Sequence, residues 1–118
     1  MWFTRQEIKD INDGLKRLTI RQYKSNGNLP IKVGSETWLK TGSLVSKERY
    51  GRIRMIGLTI KELGMMTDTD AKLGGYGSAE EYIEAQLTEF NSDCSLETEM
   101  LFYTFDVISL DSDLINSL

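Results

Sequence analysis

Histidine is absent from this chain of 118 residues, cysteine and proline each occur once, and no apolar run approaches membrane-spanning length. Each shortage closes off a class of function. Without an imidazole there is no Ser-His-Asp or Cys-His catalysis, and the usual zinc constellations are out of reach. Chemistry is left to Lys, Tyr, Thr, Ser and carboxylates, and neither a metal nor a cofactor is expected. Cys94 alone cannot form an internal disulfide, which suits a reducing cytosol, and it reads as a small packing or loop residue. A bilayer span needs ~20 consecutive apolar residues. The opening Met1-Trp2-Phe3-Thr4-Arg5 turns polar at once, unlike a secretory leader. The expected location is the cytoplasm, with no membrane partner. Pro30 is the single proline and 40% of residues are hydrophobic, so the chain reads as folded rather than disordered. At this length one domain buries about two-thirds of its unfolded surface.

The net charge of −4 conceals a division along the chain. Thirteen of the fourteen basic residues precede Glu62, whereas thirteen of the eighteen acidic residues lie from Glu62 onward. Such polarity allows a basic ligand surface within an acidic protein. The alternative is that the two halves interleave in space and pair their charges. A sequence pI near 4.8 argues against a broad nucleic-acid clamp. The acidic second half also offers a surface to a basic protein partner.

Local patterns divide the chain into alternating elements. Thr4 and Glu7 form a capping box for a first helix carrying Ile8, Ile11 and Leu15, with Gly14 at its C-terminal end. Residues 17–23 alternate as a strand, Leu18 and Ile20 on one face and Thr19, Arg21 and Tyr23 on the other. Residues 24–29 read as a loop, 31–35 as a tight turn into another strand, 36–39 as a short strand and 42–47 as a loop. A long strand follows over 50–63. Thr67 opens a short helix that stops at Gly74-Gly75. Ser78 and Glu81 form a second capping box before a helix whose buried stripe is Tyr82, Ile83, Leu87 and Phe90. Residues 91–95 form a turn, and 98–108 a strand apolar on both faces, hence central. The tail 110–118 either frays or docks, giving a domain over 1–109 and a tail over 110–118. Five strands and three helices with short connections predict a mostly antiparallel α+β fold.

Lys16 and Thr19 are the sharpest candidates for chemistry. A threonine hydroxyl is a poor nucleophile until a base takes its proton. A lysine serves as that base only if burial or adjacent positive charge, such as Arg17 and Arg21, lowers its pKa. The plainer reading is that Lys16 complements a helix C-terminus and Thr19 is a good strand former. Aromatics beside cations are the pattern that stacks bases and holds phosphates. Tyr23 next to Arg21 and Lys24, Trp38 next to Lys40, and Tyr50 next to Arg49 and Arg52 fit it; core packing explains each singly. Asp68 and Asp70 fail as a calcium loop, because Lys72 and Leu73 stand where an oxygen ligand and a glycine are needed. No strand immediately precedes Gly74-Gly75-Tyr76-Gly77, so it is not a phosphate loop.

The run Gly14-Leu15-Lys16-Arg17-Leu18-Thr19-Ile20-Arg21, followed by Ile31-Lys32-Val33-Gly34-Ser35 and by the stretch 66–76, resembles the ASCH domain. That family is a small β-barrel fold related to the PUA group of RNA-binding modules, and the resemblance extends over about residues 2–107. It implies a small, mostly antiparallel PUA-like barrel with two to three flanking helices. Some ASCH proteins that are similar here hydrolyse the N4-acyl group of modified cytidines, using a Lys, a Thr three residues later and a Glu in the later helical segment. Lys16 and Thr19 match the first two, whereas Gly74 stands at the third position. The resemblance therefore implies a module that binds RNA or a modified nucleoside, with Lys16, Thr19 and Arg21 at the floor of its pocket. Arg17, Tyr23, Trp38, Lys40 and Arg52 are the further ligand-binding candidates. One alternative is an amidohydrolase acting on N4-acetylcytidine through Lys16 and Thr19. Another is a catalytically inactive interaction protein with an acidic surface.

Overall fold

A computed structural model describes residues 1–23, 31–42, 48–90 and 93–118. The expected loop at 24–29, residues 43–47 of the expected loop at 42–47, and the start of the turn at 91–92 lie outside the described residues. Eight elements follow one another: α1 (Arg5–Asn12), β1 (Leu18–Gln22), β2 (Glu36–Leu39), β3 (Gly51–Glu62), α2 (Asp68–Leu73), α3 (Ala79–Ala85), β4 (Glu99–Leu110) and α4 (Ser112–Asn116). A 3-10 turn at Leu63–Met65 follows β3, and α3 loosens into a π-helical turn at Gln86–Phe90. Among the described residues no helix is long and apolar enough to cross a membrane.

The strands form one antiparallel sheet in the order β1-β4-β3-β2. It curls into a half-barrel rather than closing. Two bulges interrupt the long β3–β4 pairing, between Arg52 and Ile53 and between Met55 and Gly57. An extra residue on one strand bends it and increases its twist, which curls the sheet. The N-terminal segment crosses the open side. Phe3 N–H donates to the Lys40 carbonyl (2.9 Å), Lys40 N–H donates to the Met1 carbonyl (3.1 Å), and the Arg21 guanidinium on β1 donates to the Trp2 carbonyl (2.8 Å).

Strand β4 is central, and its alternation distributes the core. Leu101, Tyr103 and Phe105 pack with Ile8, Ile11, Ile53 and Met55 on one face. Met100 and Phe102 pack with Leu18, Ile20, Leu63 and Tyr82 on the other. Thr19 is paired with Tyr103 across the β1–β4 ladder, so it shares the face that α1 covers. The C-terminal segment docks: Ile115 is buried in the first cluster, and the Ser112 hydroxyl donates to Asn12 Oδ1 at 3.1 Å.

Two expectations are corrected. Among the described residues four strands form instead of five; residues 31–35 make the expected tight turn into β2, with Ser35 N–H donating to the Lys32 carbonyl (3.1 Å) and Gly34 at φ +92°. Leu15 does not continue the buried stripe of α1. The helix is capped at Asp13, Gly14 reverses the chain at φ +80°, and Leu15 is left exposed.

Gly51, paired with Leu110, is a place where the sheet tolerates no side chain. A Cβ there would sit 2.3 Å from the Ser109 carbonyl oxygen, a backbone atom that cannot rotate away. Gly51→Ala is expected to lower the unfolding free energy by about 1–3 kcal/mol. Urea denaturation reads this, and an unchanged midpoint would mean that the two strands separate there without cost.

Candidate functional site

The turn after α1 drives Lys16 inward. Leu15 N–H donates to the Asp10 carbonyl (2.8 Å), Arg17 N–H to the Leu73 carbonyl (2.6 Å), and Phe105 N–H to the Arg17 carbonyl (3.0 Å). The backbone is thus fixed between the end of α2 and β4. Leu15 faces solvent while Lys16, only 2% exposed, points into the protein, the reverse of what hydropathy alone dictates. Its Nζ lies 3.0 Å from the Gly74 carbonyl, 3.4 Å from the Tyr82 hydroxyl and 3.6 Å from Glu7 Oε2. An ammonium has three N–H groups, and three acceptors surround this one. Desolvation pulls the Lys16 pKa below the ordinary lysine value, Glu7 opposes that shift, and Arg21 adds to it.

Glu7 serves two structures at once. As the third residue of α1, its Oε1 accepts from the Thr4 N–H at 2.9 Å and completes the capping box. Its Oε2 faces the Lys16 ammonium. Tyr82 comes from α3, whose first turn is capped by Ser78 accepting from the Glu81 N–H at 3.2 Å. The reciprocal bond is not made, since Glu81 Oε2 accepts from the Gly77 N–H (3.3 Å) instead. The Tyr82 ring occupies the space beside Gly74, where an added Cβ would fall 2.3 Å from a ring carbon. Tyr76 stacks on that ring at 4.1 Å and 14°. Burial pushes the Tyr82 hydroxyl pKa far up, so it remains a neutral O–H.

Two cavities open beside this cluster, and both have Glu7 in their walls. The inner one, about 200 Å³, is lined by Glu7, Thr19, Arg21, Gln22, Tyr82 and Gln86. The outer one, about 430 Å³, is lined by Glu7, Asp10, Lys16, Gly74 and Tyr76 among others. Thr19 is 1% exposed and lines the inner cavity. Arg21 is held by the Trp2 carbonyl and lies 5.0 Å over the Phe3 ring. Desolvation lowers its pKa and the nearby Glu7 raises it.

No protein-family model matches the sequence, and no curated protein matches it. Solved structures do. An ASCH domain from Lactobacillus crispatus superposes with a TM-score of 0.69 at 18% identity, covering 86% of this chain and 70% of its own. A DUF984 protein from Enterococcus faecalis gives 0.66 at 16% identity, covering 89% and 71%. An ASCH protein from Zymomonas mobilis gives 0.61 at 11%, covering 90% and 64%. The chain has the ASCH fold.

Within this ASCH fold, three of the expected site residues come together. Lys16, Thr19 and Arg21 gather around Glu7 and Tyr82. Arg17 does not join them, because its Nη1 donates to the Ile11 and Lys16 carbonyls (2.9 and 2.7 Å) and fixes the turn. Tyr23 packs half-buried against the core. Trp38, Lys40 and Arg52 line neither cavity. They lie along β2 and its neighbour: Trp38 sits between the Arg49 and Arg52 guanidinium groups (4.9 and 5.5 Å), Arg52 pairs with Glu36, and Lys40 lies 5.8 Å over Trp2. Of the four ion pairs among the described residues, only Lys61–Asp70 joins the basic half to the acidic half.

Glu7, Tyr82 and Gln86 are site residues that sequence reasoning missed. Glu7 satisfied a capping pattern and Tyr82 a core stripe, so neither called for a second role. The available signal was the glycine at 74, which leaves an inward lysine in need of a carboxylate from elsewhere.

Two expectations follow. Gly74→Glu forces its Cβ into the Tyr82 ring and should destabilise the protein by about 1–3 kcal/mol. Tyr82→Ala in the same chain should relieve part of that cost, so the two changes are non-additive in urea denaturation. Strict additivity would show that the ring yields freely. For Lys16, the folded protein binds the proton less tightly than the unfolded chain, which titrates near 10.5. Between the lowered value and 10.5 the unfolded chain holds more protons, so stability rises with pH across that window. Lys16→Met should flatten this rise; an unchanged slope between wild type and variant would contradict the assignment.

Proposed function

We infer that the chain binds a free nucleoside, its base seated in the inner cavity walled by Glu7, Thr19, Arg21 and Tyr82. The observation carrying this reading is the buried Thr19 on the wall of a cavity lined by both donors and acceptors. The polar edge of a base can hydrogen-bond to these groups, each bond being worth about 0.5–1.5 kcal/mol net. At about 200 Å³ the inner cavity falls below the ~300–1,000 Å³ usual for drug-sized ligands, so it suits a single base. The two cations beside it are held by protein groups: the buried Lys16 by Gly74, Tyr82 and Glu7, and the half-buried Arg21 by Trp2. That arrangement favours an uncharged ligand over a phosphodiester chain.

Calorimetric titration with cytidine and N4-acetylcytidine tests this reading. Saturable binding with little salt dependence is expected, and Thr19→Val should weaken it at least ~10-fold, about 1.4 kcal/mol. Tighter binding of RNA oligomers, falling steeply with salt, would overturn it.

A second reading is favoured by one specific observation, the Glu7 carboxylate at 3.6 Å from the Lys16 amine. An acid–base group is typically worth ~10²–10⁴ in rate, and Gly74 does not provide one. With Glu7 present, the cluster supports hydrolysis of the N4-acyl group of cytidine. Chromatography after incubation with N4-acetylcytidine should reveal cytidine and acetate. An absence of product removes this reading and leaves nucleoside binding intact.

A further inference from the structure

We propose that Tyr82 and Gln86 read the hydrogen-bonding edge of the base, the Tyr82 hydroxyl donating to a ring nitrogen and the Gln86 amide oxygen accepting from the amine beside it. The ligand class this selects is a base that sets an exocyclic N–H next to a ring acceptor, as cytosine does. The proposal rests on the nucleoside reading above and assigns the residues that give it specificity. Both side chains line the inner cavity, and both are buried, at 2% and 7% exposure. They stand four residues apart in the sequence. That spacing brings two side chains to one face of a helix.

Local structure aims the pair. Ser78 caps the first turn of α3, and the Gln86 N–H closes the last one on the Tyr82 and Ile83 carbonyls. At Gln86 the chain widens into its π-helical turn, a departure from regular helix that recurs at functional sites. Ile20 and Met100, 5% and 1% exposed, give the same cavity an apolar surface. The flat faces of a ring meet hydrocarbon and sulfur there, and its polar edge is left to the side chains of the wall.

What surrounds each group sets its role. The Tyr82 oxygen accepts from the Lys16 ammonium at 3.4 Å, which leaves the phenol hydrogen to donate and polarises that O–H. Of the two cavities, Lys16 lines the outer and Tyr82 the inner. The buried charge therefore reaches the ligand as a strengthened neutral donor. Both oxygens of Glu7 are engaged, one with the Thr4 N–H at 2.9 Å and the other facing Lys16 at 3.6 Å. Arg21 has donors only, and Gln22 is exposed. The buried carbonyl acceptor on this wall is the Gln86 amide oxygen, and an N–H of the ligand pairs with it.

Calorimetric titration with cytidine and with pyrimidin-2-one riboside, which lacks the exocyclic amine, tests this assignment. The wild type should bind cytidine at least ~10-fold more tightly than the amine-free riboside, because a site built to pair with an N–H penalises its loss. Gln86→Leu should erase that preference, and Gln86→Glu, which keeps an acceptor oxygen, should retain it. Tyr82→Phe should weaken both ligands alike, since both carry the ring nitrogen. Equal binding of the two ribosides by the wild type, or a wild-type ratio in Gln86→Leu, would overturn the proposal and leave the nucleoside reading standing. No binding of cytidine by the wild type would sink both. Nitrogen-15 shifts of the Gln86 side-chain amide give a readout that needs no variant: a larger change with cytidine than with the amine-free riboside is expected, and equal changes would overturn the assignment.

Discussion

The ammonium of Lys16 lies inside the protein, and taking such an ion out of water costs several kcal/mol unless its hydrogen bonds and charge are answered there. The answer comes from three separate elements: the end of α2 through the Gly74 carbonyl, α3 through the Tyr82 hydroxyl, and α1 through Glu7. Each of these is itself held by local sequence. Thr67 and Asp70 cap α2, Ser78 caps α3, and Thr4 with Glu7 caps α1. A charge of this kind is weak evidence for stability. It is better understood as a fixed point that orients the groups around it.

That fixed point also explains the exchange between Gly74 and Tyr82. The volume beside residue 74 is filled by an aromatic ring that leaves no room for a Cβ. A carboxylate cannot stand there while the ring does, so the negative charge comes from the opposite side, on α1. Whether the lysine is answered from one helix or the other, the desolvated amine requires an acceptor. The constraint belongs to the chemistry of the buried group, and the backbone leaves open who satisfies it.

Much of this was legible in the order of residues, because much of it depends on contacts close in sequence. Capping at Thr4, Thr67 and Ser78, the reversal at Gly14 and the two-faced apolar run of β4 are local events. The inward direction of Lys16 beside the exposed Leu15 was not. It depends on hydrogen bonds to Leu73 and Phe105, both more than fifty residues away. Glu7 was hidden for a related reason, since one oxygen fulfilled a recognisable local role and the other acted across the fold. The basic cluster around β2 lies apart from these cavities. Trp38 and Arg52 are neighbours and Lys40 lies over Trp2, but none of the three lines the two cavities beside Lys16, and the alternation that made them stand out carries no information about distance to β1.

The segment crossing the open side of the half-barrel ties these regions together. It pairs with Lys40 beyond β2, and its Trp2 carbonyl and Phe3 ring hold the Arg21 side chain from β1. A sheet that stops short of closing leaves both of its edges dependent on what lies between them. The first three residues therefore act as a clasp: they join the two rims and fix the Arg21 guanidinium beside the inner cavity, so the charge on that wall is set by a segment distant from β1 in sequence.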